Sequence, residues 1–258
     1  MIDLSFWQLG LAVLLLAAVV AVSAREALGL ERDVLVAALR AILQLYLVGL
    51  ILAAVFAAAR WYWVLLILAV MIAVAAHATV SRLRKPLPGQ YAIAALSLTV
   101  ATAATLAYVI GVVVQVRPWY EPQYVIPIAG MILGNAMTSA ALAGDRLQGD
   151  LGSRADEVEA RLALGFSGRE AVQPMARAAL RAAMIPTVNG MMTVGLVQLP
   201  GMMTGQILAG SAPLVAIKYQ LVVAFMQAAA TALASCLFVR LAARRYLTAA
   251  HQLRRHLL

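Results

Sequence analysis

Long apolar stretches constrain the fold of this chain more than any other feature. Seven of them, each of about 17 or more residues, are long enough to cross a bilayer core of about 30 Å as an α-helix. Hydrophobic residues make up 64% of the chain and charged residues 12%, whereas ordinary soluble domains have roughly 45–50% and about 25%. The sequence therefore predicts an all-α polytopic integral membrane protein with about seven transmembrane helices in a single domain over 1–258. The predicted spans are about 4–23, 34–59, 63–80, 91–116, 125–143, 183–199 and 214–241.

Basic residues at the ends of the spans predict the orientation in the membrane. No basic residue precedes the first span, whereas Arg25 and Arg32 follow it. Because positive charge favours the cytoplasmic side, the N-terminus is predicted outside and the C-terminus inside. Cleavage of the first stretch as a signal peptide is the alternative, but only Asp3 lies where such a signal carries basic residues. The net charge of +9 then reflects membrane anchoring and contact with anionic lipid, and nucleic-acid binding is not expected. The basic clusters that agree with this topology are Arg82, Arg84, Lys85, Arg240, Arg244 and Arg245.

Residues 145–182, here called the central charged segment, separate the fifth predicted span from the sixth. They hold 12 of the 31 charged residues, which makes them too polar for the bilayer interior. Ser153 and Ser167 each precede an acidic residue by three positions, a pattern typical of a helix start. Gly165 is placed to end the first of these helices. Pro174 predicts a break that leaves a short helix before it and begins a new helix into the sixth span.

The sequence lacks the motifs of the common catalytic and nucleotide-binding sites. It contains no H-E-x-x-H, no G-x-S-x-G, no Cys/His cluster and no G-x-x-x-x-G-K-[ST]. All eleven acidic residues fall at span ends or in loops, whereas gradient-driven transporters usually carry ionisable residues at membrane depth. These patterns favour a transport protein over an enzyme. They also favour transport that is driven by a separate ATPase subunit. ATP and Mg would be held by that partner, so this chain is expected to bind no cofactor, and the sequence assigns no set of metal ligands.

Neutral polar and thioether side chains of the fifth and sixth spans are the candidate substrate pathway. Amides and hydroxyls at membrane depth are costly unless they bond to neighbours or line a cavity, and thioethers contact soft metal ions. Packing between helices is the alternative for each of them. The stretch at 200–213 is predicted to be an outer loop or a partly re-entrant turn. The pathway candidates are Met131, Asn135, Met137, Thr138, Asn189, Met191, Met192, Thr193 and Gln198.

Two G-x-x-x-G pairs lie in the same regions, Gly130 with Gly134 and Gly201 with Gly205. Small residues at this spacing let helix backbones approach closely in a membrane. The pairs are therefore predicted to pack helices or to form the seam of a homodimer.

Two longer motifs and one short signature resemble a known family. The motifs read GMILGNAMT at 130–138 and PTVNGMMTVGLVQLPGMMTGQ at 186–206, and both resemble the FetB-like iron-export permease family. Plant aluminium-tolerance membrane subunits belong to the same family. The short signature is Glu159-Ala160-Arg161 followed by Gly165, which resembles the start of the EAA-x-x-x-G loop of bacterial ABC transporter permeases.

The resemblance implies a permease subunit in the bacterial inner membrane that pairs with an ABC ATPase and forms a homodimer. The central charged segment would be the cytoplasmic coupling segment, and the cargo would be iron exported from the cytoplasm. The residues implied in ATPase coupling are Glu159, Ala160, Arg161, Gly165, Ser167 and Glu170. Two alternatives stay open: the same architecture moving an organic solute such as a sugar nucleotide, or an ATPase-independent membrane channel or assembly factor.

Overall fold

The computed structural model describes residues 5–58, 60–248, 250 and 252–257, and these residues form nine α-helices. The helices divide into two compact units, residues 1–59 and residues 60–258. The first unit holds α1 (Phe6–Arg25) and α2 (Glu31–Ala58). The second unit holds α3 (Trp61–Ser81), α4 (Gln90–Tyr108, continued by a π-helical turn at Val109–Val113), α5 (Pro122–Ser153), α6 (Ala155–Ala163), α7 (Gly168–Thr193), α8 (Gly201–Leu208) and α9 (Pro213–Arg245).

The first unit is a pair of helices joined by a short connection that a serine fixes. Ser23 is 2% exposed, and its hydroxyl donates a hydrogen bond to the Glu31 carboxylate at 2.7 Å and accepts one from the Leu30 N–H at 3.1 Å. Apolar side chains cover α2 on all sides. A helix of this kind is typical of a membrane span or a buried position.

Five helices of the described chain are long and apolar enough to cross a membrane: α2, α3, α4 with its π-helical turn, α5 and α9. They confirm a multi-pass membrane protein made of helices. The apolar part of α1, Gly10–Arg25, is shorter than these, and α7 carries three arginines in its first fourteen residues. Seven crossings and their orientation stay predictions.

The core of the second unit is built around α5, which contacts α3, α4, α7 and α9. Alanines fill the crossings, since Ala136, Ala140 and Ala143 on α5 and Ala234 on α9 are all fully buried. Small side chains let the helix axes approach closely in the absence of a hydrophobic drive between membrane helices. Larger side chains such as Phe238 fill the space that remains.

Most of the charges of this unit gather at one end of the bundle, here called the charged end. The Arg84 guanidinium lies 3.3 Å from the Asp145 carboxylate. The Gln148 side chain accepts a hydrogen bond from the Lys85 N–H at 3.2 Å and donates one to the Lys85 carbonyl at 2.8 Å. These contacts attach the connection between α3 and α4 to the last turns of α5. Helix α5 is therefore longer than the predicted fifth span, because it continues for ten residues past 143 into the central charged segment.

Two predicted helix boundaries in the central charged segment are wrong. Pro174 does not break the chain, since α7 is continuous from Gly168 to Thr193. Proline removes one backbone hydrogen bond, but burial of Ala171 and Met175 on either side holds the helix in the bundle. Ser153 does not cap α6, because it ends α5 and its hydroxyl donates to the Asp150 carbonyl at 3.4 Å.

The helix of the sixth predicted span ends earlier than the sequence predicts. Helix α7 ends at Thr193, and a tight turn follows in which the Gly195 N–H donates to the Gln198 carbonyl at 2.9 Å. Gly195 has a φ of +83°, a conformation that glycine adopts without strain. The next stretch, predicted as a loop or re-entrant turn, forms the two-turn helix α8.

Candidate functional site

A cavity of about 390 Å³ lies between α5, α7, α9 and the connection that precedes α8. Four of the nine predicted pathway residues line it: Met131, Asn135, Met191 and Gln198. Asn135 precedes Asp145 of the charged end by ten residues, which is about 15 Å along a helix. The cavity is therefore separated from the charged end by nearly three turns of α5.

Two glutamines on α9, Gln220 and Gln227, also line this cavity and were not predicted. They are seven residues apart, so they lie on the same face of the helix. The Gln220 side-chain carbonyl is buried and has no hydrogen-bond partner among the described residues. A buried amide without a partner is costly unless a ligand or water satisfies it. The glutamine spacing in an otherwise apolar span was the signal that could have identified them.

A second cavity of about 470 Å³ adjoins the first, since both are lined by Met131, Met202 and Val223. Its remaining wall includes the amides Gln123 and Gln206. The Gln206 side-chain carbonyl is buried and unpartnered in the described structure, like that of Gln220. The two cavities therefore form neighbouring compartments with similar side-chain chemistry.

The other five predicted pathway residues lie outside both cavities. Met137 is half-buried and packs against the core. The Thr138 hydroxyl donates to the Gly134 carbonyl at 2.9 Å and accepts from the Arg82 guanidinium at 3.3 Å. The last three are exposed around the end of α7: Asn189, Met192 and Thr193.

Three of the four paired glycines have open space beside them within the single chain. A Cβ atom at Gly134, Gly201 or Gly205 would meet nothing within 4 Å, and one at Gly130 would lie 3.4 Å from the Met71 methyl. A homodimer seam at these positions stays a prediction. The tight glycine contact inside the chain is at Gly144, where a Cβ would come within 2.6 Å of the Phe238 ring.

A hydrogen-bonded contact, here called the seal, joins three helices between the cavity and the charged end. The Ser235 hydroxyl of α9 donates to the Ser139 hydroxyl of α5 at 2.9 Å. Ser139 in turn donates to the Ala183 carbonyl of α7 at 2.9 Å. Ser139 lies one helical turn from Asn135 of the cavity lining, and both serines are buried. The seal therefore lies in the packed core that separates the cavity from the charged end.

The turn between α6 and α7 exposes apolar side chains at the charged end. Gly165 ends α6 with a φ of +91°, as predicted, and its N–H donates to the Leu162 carbonyl at 3.0 Å. The flanking side chains Leu164 and Phe166 are 78% and 46% exposed. The predicted capping pair then begins α7, since the Ser167 N–H donates to the Glu170 carboxylate at 2.9 Å. The Ser167 hydroxyl also donates to this carboxylate, at 2.6 Å, and this bond together with the one from the N–H lowers the pKa of Glu170.

The acidic residues of α6 are bound to arginines of the same chain. Glu157 accepts from Arg154 at 2.7 Å and from Arg161 at 3.0 Å. Glu159 accepts from Arg255 through both carboxylate oxygens, at 2.6 and 2.7 Å, and Asp156 accepts from the same guanidinium. The hydrogen bond from Arg255 lowers the pKa of Glu159. Of the predicted coupling residues, Glu159 and Arg161 are therefore ion-paired within the chain, while Ala160 is exposed.

The C-terminal tail that carries Arg255 is attached to the end of α9. The Arg254 N–H donates to the Tyr246 carbonyl at 2.8 Å, and Leu253 packs against the core. Burial raises the pKa of the Tyr246 phenol to about 12, although its hydrogen bond with Gln90 acts in the opposite direction. The tail therefore connects α9 to α6 through packed and charged contacts.

The described residues contain no group of three or more His, Cys, Asp or Glu side chains that could hold a metal ion. Borderline metals such as iron(II) are usually held by imidazole, carboxylate or thiolate ligands. The metal ligands therefore stay unassigned, and the donors near the cavity are amides and thioethers.

Comparison with known proteins places the chain in a family. A family profile described as an uncharacterised protein family, UPF0014, matches residues 6–247. A UPF0014 membrane protein from Synechocystis sp. is 42% identical over 220 residues, 85% of this chain and 83% of the relative. The probable iron export permease protein FetB of Escherichia coli is 36% identical over 95% of this chain and 93% of its own length. The protein ALUMINUM SENSITIVE 3 of Arabidopsis thaliana is 35% identical over 95% of this chain and 88% of its own length. No solved structure matches the chain. The predicted resemblance is thus confirmed, and the chain belongs to the UPF0014 family of membrane proteins.

Proposed function

We propose that the chain is the membrane-spanning permease subunit of an ABC exporter in the bacterial inner membrane. Two copies would pair with two copies of a separate ATPase subunit, which would bind and hydrolyse ATP. The name of the Escherichia coli relative, "probable iron export permease protein FetB", supports iron or another small solute as the cargo.

The observation that carries the proposal is the continuity of α7. This helix begins at the exposed turn of the charged end, capped by Ser167, and reaches the cavity lining at Thr187 and Gly190. At 26 residues it is about 39 Å long. A displacement of the turn by a partner would therefore reach the cavity through one continuous helix.

The exposed apolar turn fits the surface that an ATPase subunit would grip. Leu164 and Phe166 project at an end of the bundle that is rich in charge. Apolar anchors surrounded by a polar rim are the usual centre of a protein interface. The charged end would face the cytoplasm, in agreement with its excess of basic residues.

Transport would require the seal to open and close. Closure of the ATPase subunits would move α6 and the start of α7, and this motion would separate the Ala183 carbonyl from Ser139. The cavity would then be open to the charged end, and reclosure would restore access from the opposite end. Rigid-body motion of packed helices around a fixed site is the usual mechanism of such switching.

Co-purification tests the ATPase partnership. The unchanged chain, expressed in its native host with an affinity tag, should retain an ABC ATPase subunit and stimulate its ATP hydrolysis. Leu164→Ser together with Phe166→Ser should abolish both, because the anchors of the turn are removed.

Leu208→Ser is the matched control, since Leu208 is 68% exposed at the opposite end of the bundle and should leave the complex intact. Absence of any ATPase from the unchanged preparation would overturn the proposal. Retention of the ATPase by the double variant would show that the turn is not the contact.

A further inference from the structure

We infer that the cavity takes its cargo as an uncharged or anionic polar species, so that iron passes only inside an oxygen-ligand chelate and not as a bare ion. This inference rests on the proposed transport function and specifies its substrate class. It follows from the side chains of the cavity and from the charge at the end through which cargo would enter.

The cavity lining is polar but carries no charge. None of its fifteen residues, all of them described, has an ionisable side chain. Its polar groups are four amides and one hydroxyl, and its soft donors are three thioethers. The amides are Asn135, Gln198, Gln220 and Gln227.

A bare iron(II) ion would be poorly stabilised by these groups. Transfer of a divalent ion from water into a low-dielectric region is costly unless opposite charges compensate it. Iron is held in proteins by imidazole, carboxylate and thiolate groups, whereas thioethers prefer copper(I). The carboxylates of the second unit are Glu121, at the start of α5, and six at the charged end, and none of them lines either cavity.

Side-chain amides suit a ligand that both accepts and donates hydrogen bonds. Each amide offers a carbonyl acceptor and two N–H donors, which match the carboxylate and hydroxyl groups of an organic chelator. The unpartnered Gln220 carbonyl provides a free acceptor of this kind. The cavity volume of about 390 Å³ equals that of roughly 13 water molecules at about 30 Å³ each, which is room for a metal with its ligands.

The charged end favours approach by anions. The three segments that meet there, 81–89, 144–182 and 240–257, carry fourteen Lys or Arg residues and six Asp or Glu residues. Ion pairs neutralise the carboxylates of α6 and Asp145, so the net field is positive. A positive field raises the local concentration of anions and lowers that of free cations. The cavity chemistry and the approach to it thus select against a bare cation.

Binding to the purified full chain in lipid nanodiscs tests the inference. Three probes are compared by equilibrium dialysis with radioactive iron or carbon: ferrous ion alone under ascorbate, ferric citrate, and citrate alone. Ferric citrate should bind, and ferrous ion alone should not. Gln220→Leu together with Gln227→Leu should weaken ferric citrate binding by about fivefold or more, because the ligand loses two hydrogen bonds.

Gln173→Leu is the matched control, because Gln173 is exposed on α7 at the charged end and should bind ferric citrate normally. Binding of ferrous ion alone at the same concentrations would overturn the inference, as would failure of ferric citrate to bind. Unchanged binding by the glutamine double variant would place the cargo elsewhere and also refute it.

The assay contains no ATPase, so its result is independent of the partnership. A permease that binds ferric citrate but retains no ATPase would refute the coupling proposal and leave the cargo inference standing. A permease that retains its ATPase but binds ferrous ion alone would refute the cargo inference and leave the coupling proposal standing.

Discussion

Replacement of Gly144 by alanine tests a close contact of α5 with Phe238 of α9 and with Leu83. A Cβ atom at this position would lie 2.6 Å from the Phe238 ring and 2.9 Å from a Leu83 methyl, and both of these side chains are buried. Overpacking of this kind costs about 1–3 kcal/mol, while the better helix propensity of alanine returns up to about 1 kcal/mol. We therefore expect a net loss of about 1–2 kcal/mol in the free energy of unfolding. For a chain of this size this corresponds to a fall in Tm of roughly 2–8 °C, measured by tryptophan fluorescence on the protein in detergent.

Gly149→Ala provides the matched control on the same helix. A Cβ there would meet nothing within 4 Å, so only the gain in helix propensity applies and the Tm should hold or rise. Phe238→Leu in the Gly144→Ala background should recover part of the loss, because contacting residues couple energetically. A Gly144→Ala protein as stable as Gly149→Ala would refute the α5–α9 packing described here.

Three further predictions concern the seal and the tail. Ser139→Ala should lower the free energy of unfolding by about 1–3 kcal/mol, because it leaves the buried Ser235 hydroxyl without its acceptor, and should raise ATP-independent leakage of cargo from vesicles. Ser97→Ala is the control, since its buried hydroxyl has no partner among the described residues. Equal effects of the two substitutions would contradict the role of the seal. Arg255→Ala should speed amide hydrogen exchange across α6, because Arg255 binds the carboxylates of Asp156 and Glu159. Arg254→Ala is the control and should not, because Arg254 is held by its backbone N–H and not by a contact with α6. Arg255 lowers the pKa of Glu159, so the stabilisation of this contact is complete above the ordinary carboxyl pKa of 4.5 and is lost as the pH falls through the lowered value. The protection of the α6 amides, which is the intrinsic exchange rate at each pH divided by the observed rate, should therefore fall in acid to that of Arg255→Ala. Equal protection at neutral and acid pH would contradict the ion pair.

The sequence was sufficient to predict the membrane class, the position of most helices and the capped start of α7. Apolar runs report the lipid environment directly, and the Ser167–Glu170 pair reports a local hydrogen-bond pattern. The structure confirms the apolar membrane-length helices and the capped start of α7. The break at Pro174 was predicted wrongly. Proline usually ends a helix, but here burial of the residues on both sides of it keeps α7 continuous, and the sequence alone does not show that burial.

The cavity was predicted only in part, for a related reason. Polar residues near the family motifs were identified, but the helix that faces them, α9, lies far along the chain and supplies Gln220 and Gln227. Which face of an apolar helix meets a cavity depends on the packing of the whole bundle. For the same reason the sequence could not show that Arg255 binds Glu159 across 96 positions.

Three helices, α5, α7 and α9, run from the charged end to the cavity, and the seal joins them. Helix α7 carries motion directly from the exposed turn, while α9 is tied to α6 by the tail through Arg255. Ser139 bridges the two, since it bonds to Ser235 of α9 and to the Ala183 carbonyl of α7. Pro186 lacks an N–H and so leaves the Ala182 carbonyl without its helical partner, which weakens α7 on the cavity side of this bridge. A force applied to the turn would then meet a rigid helix up to the seal and a softer one beyond it. The hydrogen bond from Ser139 of α5 to the Ala183 carbonyl of α7 would therefore break first.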